Sequence, residues 1–201
     1  MMNEADRNRW QVEPGDALLV TDVQNDFLPG GSLAVVGGDE VVPVLNRYVD
    51  IFVSRHLPVL ATRDWHPPHH CSFRENGGPW PVHCVAGTHG AEFSSALRLP
   101  QTATIISKAS ALEFDAYSSF LGTDLDRKLR DAGIRRLFIG GLTTDYCILN
   151  STRDALRLNY QVFVLGDAIR AVNLQPGDGQ RALDEMIALG AQCITLRGYA
   201  G

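Results

Sequence analysis

Residues 62–73 read TRDWHPPHHCSF, which sets one aspartate, three histidines and a cysteine within eight positions. His66, His69 and His70 are half of the chain's six histidines. With Asp64 and Cys71 they form a donor set suited to zinc, iron or manganese. His66 and His70 stand at i, i+4 and would share one face of a helix. Pro67 and Pro68 fix φ and favour an irregular turn instead. Two further histidines, His83 and His89, follow in GPWPVHCVAGTHG. Asp64 and His66 close together, with a distant His83, suit an open site that leaves positions for water or substrate. A closed structural zinc site would draw on Cys71 and Cys84 instead. A solvated, His-rich loop holding no metal is the plain alternative.

A second set of reactive side chains is spread along the chain: Asp22 in TDVQNDF, Lys108 in ISKAS and Cys147 in GGLTTDYC. A cysteine about one turn into a helix faces unpaired N–H groups and the positive end of the helix dipole, which lowers a thiol's pKa. The same amides could hold an oxyanion. Asp22 would supply a base, and Lys108 a charge that stabilises thiolate or carboxylate. On position alone, Cys147 could equally be a small buried residue on a packing face. Cys193, inside QCITL, reads as core. Asp26 and Asp167 read as helix caps or structural hydrogen-bond acceptors.

These residues need a scaffold, and the chain alternates apolar runs with helical patterns. Strands are expected over 17–22, 57–64, 102–108, 135–141, 160–168 and 192–197. Helices are expected over 41–55, 119–133, 144–159 and 179–191. The strands are apolar throughout rather than alternating, which predicts a parallel sheet covered on both faces. In such sheets ligands sit beyond the carboxyl ends of the strands. Asp22, Asp64 with His66, Lys108 and Cys147 all fall there. The long irregular stretch 64–101 is dense in His, Trp and Cys, which favours a functional loop over a disordered one.

The whole chain has 201 residues, 45% apolar and 20% charged, with a net charge of −5. That is the profile of one soluble domain, expected over 17–201 behind a polar extension over 1–16. No Lys/Arg run points to nucleic acid or an anionic membrane surface. The polar N-terminus lacks the apolar core of a secretion signal, and no apolar run has the length of a membrane span. Four cysteines in a chain this long do not suggest a disulfide framework, so a reduced, cytoplasmic protein is expected.

Taken in order, TDVQNDFLPGGSLAV, ATRDWHPPHHCSF, GPWPVHCVAGTHGAEF, Lys108 with DAYSSF, and GGLTTDYC resemble the nicotinamidases (pyrazinamidases) among the isochorismatase-like cysteine hydrolases. The resemblance runs through about residues 17–168. It implies a three-layer α/β/α fold with a six-stranded, mainly parallel sheet. It also implies a metal-dependent cysteine amidohydrolase that deamidates nicotinamide to nicotinate and ammonia through a thioester, in NAD salvage. The implied triad is Asp22, Lys108 and Cys147. A cis peptide is implied at Leu142–Thr143, with the N–H groups of Thr143 and Cys147 as oxyanion hole. Asp64, His66 and His83 are the implied ligands of one divalent metal ion, zinc first, with iron or manganese as alternatives. His70 is implied as a further ligand, direct or through water. Phe27, Trp80, Tyr117 and Leu142 are the implied substrate contacts, and a homo-oligomer is the implied assembly. Two departures bear on substrate preference: Ala109 stands where many relatives carry glycine, and the ASALEF segment is this chain's own. The rival readings are another amidase of the superfamily, acting on carbamoyl or ureido compounds, and a non-catalytic ligand-binding member of the fold.

Overall fold

The computed structural model describes residues 9–201. Strand β1 (Asp16–Thr21) is DALLVT, and all six residues are buried. Leu18 and Val20 enter one core while Ala17 and Leu19 enter the other. A strand apolar on both faces is what the middle of a parallel sheet requires. The remaining strands are β2 (Val59–Asp64), β3 (Thr104–Lys108), β4 (Arg136–Leu142), β5 (Gln161–Arg170) and β6 (Gln192–Ile194). They form one sheet in the order β3-β2-β1-β4-β5-β6, and every pairing is parallel.

Helix α1 (Val41–Ser54) covers one face, burying Leu45, Tyr48, Val49 and Phe52 at helical spacing. On the other face lie α2 (Leu125–Asp131), α3 (Leu149–Arg157) and α4 (Asp178–Ala188). The result is the three-layer α/β/α arrangement expected from the alternating pattern. No helix among the described residues is long and apolar enough to cross a membrane.

Three local expectations change. The helix expected over 119–133 forms only over Leu125–Asp131. Gly122 takes a left-handed φ of 71°. The Thr123 hydroxyl donates to the Ser119 carbonyl at 2.6 Å and accepts from Leu125 N at 3.3 Å. Such side-chain bonds compete with helix and hold this segment as a loop. The helix expected over 144–159 is present as α3, but its opening turn, Thr144–Ile148, is π-helical, with Ile148 N bonded to Thr143 O at 3.0 Å. Of the polar extension expected over 1–16, residues 1–8 lie outside the described residues. Trp10 is buried against Tyr48, Phe138 and Tyr199, and Asp16 already opens β1.

The strand order reverses at β1 and β4, where the chain runs outward in both directions from the centre. Gly141 pairs with Thr21 at the end of β1. At φ 122° it sits where a Cβ would lie 2.1 Å from the Thr21 carbonyl oxygen, so only glycine fits.

Candidate active site and metal centre

Register delivers the reactive residues to one rim. Thr21 pairs with both Thr62 and Gly141, and Asp64 pairs with Lys108. Asp22 follows β1, and Cys147 lies in the π-helical turn after β4. Asp22, with a left-handed φ of 51°, is turned out of the strand direction. Its Oδ1 accepts from the Thr62 hydroxyl at 2.6 Å. Lys108 lies fully buried between two carboxylates, its Nζ 3.0 Å from Asp22 Oδ2 and 2.5 Å from Asp64 Oδ1. The same Nζ is 3.4 Å from Cys147 Sγ and 3.3 Å from the Ala116 carbonyl. The Leu142–Thr143 peptide is cis.

Burial dominates the electrostatics. It disfavours the Lys108 ammonium, but Asp22 and Asp64 outweigh it and hold the pKa well above the ordinary lysine value. Burial raises the Asp22 carboxyl against the opposing pull of Lys108. Burial also pushes the Cys147 thiol well above its usual value, against Lys108, and Asp22 and Asp64 add to the rise. The lowered thiol pKa expected from the helix start is therefore not what the structure holds. Two buried carboxylates face one buried ammonium. Cys147 rests as a thiol beside a carboxylate able to take its proton.

The second group of donors centres on Asp64. Asp64, His66 and His83 are all buried, with one ligand atom from each mutually within 4.8 Å. His66 Nδ1 lies 3.1 Å from the Ala109 carbonyl and His83 Nδ1 2.8 Å from the Pro81 carbonyl. A carbonyl only accepts, so both rings carry the proton on Nδ1 and offer a bare Nε2. His66 Nε2 is buried without a hydrogen-bond partner. This orphaned nitrogen, beside a second imidazole and a carboxylate, fits a divalent cation. The chain can hold a metal at this point. Burial lowers the His66 pKa to about 4, with His83 and His70 adding to the effect and Asp64 opposing it.

His70 is buried and stacks on His66 with ring centroids 4.2 Å apart. Its Nδ1 is 2.7 Å from the Ser72 hydroxyl and its Nε2 3.2 Å from the Phe114 carbonyl. It stands beside the three-donor group rather than within it. His69 is exposed, and half-buried Cys71 has Sγ 3.9 Å from His70 Nε2. Asp26 accepts from the amides of Ser32 and Cys84, and Asp167 from Leu196 N and the Tyr48 hydroxyl. Both serve structure.

A narrow cavity joins the two groups, lined by Phe27, Leu33, Asp64, Trp80, His83, Tyr117, Thr143, Tyr146, Cys147 and Val172. Of the expected ring contacts, Phe27, Trp80 and Tyr117 line it. Leu142 does not: its side chain belongs to the core on the α1 face, because alternation along β4 turns it away from the rim. Leu33, Tyr146 and Val172 were not foreseen. Tyr146 stands 4.9 Å from the Trp80 ring and 5.2 Å from Tyr117. Gln24 was also missed. Its amide nitrogen donates to the carbonyls of Asp64 and Ala91 at 2.8 and 2.9 Å, and its oxygen accepts from Asp64 N at 2.8 Å. Position was its only signal: it follows the end of a buried strand.

An α/β/α scaffold with a buried Asp–Lys–Cys group at its switch point defines a class, and comparison identifies the family. Residues 16–197 match the isochorismatase domain, and the chain belongs to that family. It is 41% identical to the nicotinamidase of Escherichia coli over 92% of this chain and 97% of that one. A pyrazinamidase of Pyrococcus horikoshii, solved in complex with zinc, superposes with a TM-score of 0.87 at 46% identity, covering 91% of this chain and all of that one. An L. infantum protein solved in complex with nicotinate gives 0.86 at 33%, covering 96% and 98%.

Proposed function

We propose that the protein is a nicotinamidase, hydrolysing the carboxamide of nicotinamide, and of small amides such as pyrazinamide, to the acid and ammonia. One observation carries the reading: Cys147, with Lys108 and Asp22 packed behind it, opens on a cavity walled by the rings of Phe27, Trp80 and Tyr117 and shared with Asp64 and His83. The relatives named nicotinamidase and pyrazinamidase support the choice of substrate.

Asp22 takes the Cys147 proton, and the thiolate attacks the carboxamide carbon. The N–H groups of Thr143 and Cys147 receive the oxyanion. Asp22 returns the proton to the departing ammonia, then deprotonates the water that cleaves the thioester. Lys108 stays charged throughout and keeps the two carboxylates apart. Asp64, His66 and His83 would hold one divalent cation; His70, whose ring nitrogens face Ser72 and the Phe114 carbonyl, would join them through water, or directly only by turning from those partners. Zinc is the first choice, with iron or manganese as alternatives. The chemistry supplied by such an ion is a Lewis-acid contact to the pyridine nitrogen, which fixes the ring.

The test is ammonia release from nicotinamide by the purified protein, before and after chelation. No release from the metal-loaded protein would overturn the reading. A cytoplasmic setting and a homo-oligomer go with it. The four free thiols suit a reducing compartment, and sedimentation velocity reads the assembly.

A further inference from the structure

The hydroxyl of Thr143 has no role in the mechanism above, which uses only that residue's backbone. Thr143 is 4% exposed, lines the cavity beside Cys147, and carries an Oγ1 that is buried with no hydrogen-bond partner. Burying a hydroxyl unpaired is unfavourable, so such a group calls for an explanation. The other buried polar atoms near this cavity that lack a hydrogen bond are accounted for. Asp22 Oδ2 faces Lys108 Nζ at 3.0 Å, Asp22 Oδ1 is held by Thr62, and His66 Nε2 belongs to the metal group. Thr21 and Thr152 also bury unpaired hydroxyls, but neither residue lines the cavity. Among the described residues, Thr143 alone both carries an unpaired buried hydroxyl and lines this cavity beside Cys147.

A carboxamide brings one acceptor oxygen and two N–H donors. The two backbone amides claim the oxygen, which leaves the nitrogen in need of an acceptor. A threonine hydroxyl accepts and donates. It can take an N–H from the amide and, after hydrolysis, donate to an oxygen of the product carboxylate. We propose that the Thr143 side chain is a substrate-contacting residue that hydrogen-bonds the reacting carboxamide and the acid formed from it. The proposal rests on the amidase reading and adds a residue to it.

The valine variant keeps the shape and removes the hydroxyl. Thr143→Val is expected to lower kcat/KM for nicotinamide about tenfold, and to weaken nicotinate binding, measured by calorimetry, by a similar factor. Its ligand-free Tm should be unchanged or higher, because an unpaired buried polar atom has been removed. Thr143→Ser should return kcat/KM to within about threefold of the parent. A hydroxyl with a partner inside the protein gives the opposite pattern, a lower Tm in Thr143→Val, and that result overturns the proposal. So does retention of both kcat/KM and nicotinate affinity within about twofold. Failure of the parent protein to release ammonia would sink the amidase reading, while the nicotinate titration would still judge Thr143.

Discussion

Two clusters of three potential metal donors share the Asp64 carboxylate, and they are chemically opposite. Asp22, Asp64 and Cys147 lie as close together as Asp64, His66 and His83 do. In the first cluster the cation is already present, covalently attached: Lys108 Nζ reaches all three residues. In the second, two imidazoles turn their bare nitrogens inward with no internal cation. One buried lysine therefore separates a nucleophile site from a metal site, although both present similar donors. Residue type and proximity alone would have counted two metal centres.

The largest effect should come from the nucleophile. Cys147→Ala is expected to lower ammonia release at least 10⁴-fold, a rough figure for loss of a covalent step. Metal content, read by elemental analysis, should stay unchanged. Loss of bound metal in this variant would mean that the two clusters are not separate. Lys108→Met should break the division from the other side. It leaves two buried carboxylates facing each other, costing about 3–5 kcal/mol of stability. Denaturant unfolding would measure the loss, and turnover should fall with it.

On the metal side, His83→Ala should abolish stoichiometric metal binding while the Cys147 thiol remains titratable by an alkylating reagent. The loss in kcat/KM should be smaller than for Cys147→Ala, since the ring is misplaced but the nucleophile survives. A variant as inactive as Cys147→Ala, with its metal retained, would contradict that assignment. Gln24→Leu acts one step further out, freeing both peptide groups of Asp64. Metal affinity is expected to drop about tenfold, with stability lower by about 1–3 kcal/mol.

The smallest effect is one of pH. In metal-free protein the His66 pKa is lowered from 6.5 to about 4. Between these values the unfolded chain binds a proton that the folded chain does not. Stability should therefore fall as pH drops through this window. NMR titration of the imidazole should find it neutral at pH near 5, and a charged ring there would refute the burial argument.

The sheet was legible in the sequence because buried parallel strands leave continuous apolar runs, and their last residues mark the rim. Asp22, Asp64, Lys108 and Cys147 could be placed together on that basis alone. The cavity walls were harder to read. Leu33, Tyr146 and Val172 come from two loops and the π-helical turn after β4, and no periodicity links them. Leu142 was assigned to the substrate from its place in a motif, whereas strand alternation sends it into the core. The Ser119–Thr123 loop imitated a helix in its apolar spacing, but hydroxyl-to-backbone bonds won. Gln24 left no trace in pattern, since its work is done on backbone atoms.

Gly141 carries a consequence for how this protein can vary. The missing methyl lets β1 and β4 close, and those two strands end in the base and lead to the nucleophile. Any side chain there would wedge the strands apart beneath the site, altering the distance over which the proton must travel. Folding and turnover therefore depend on one shared contact within the sheet, so neither can drift at that position without the other registering the change.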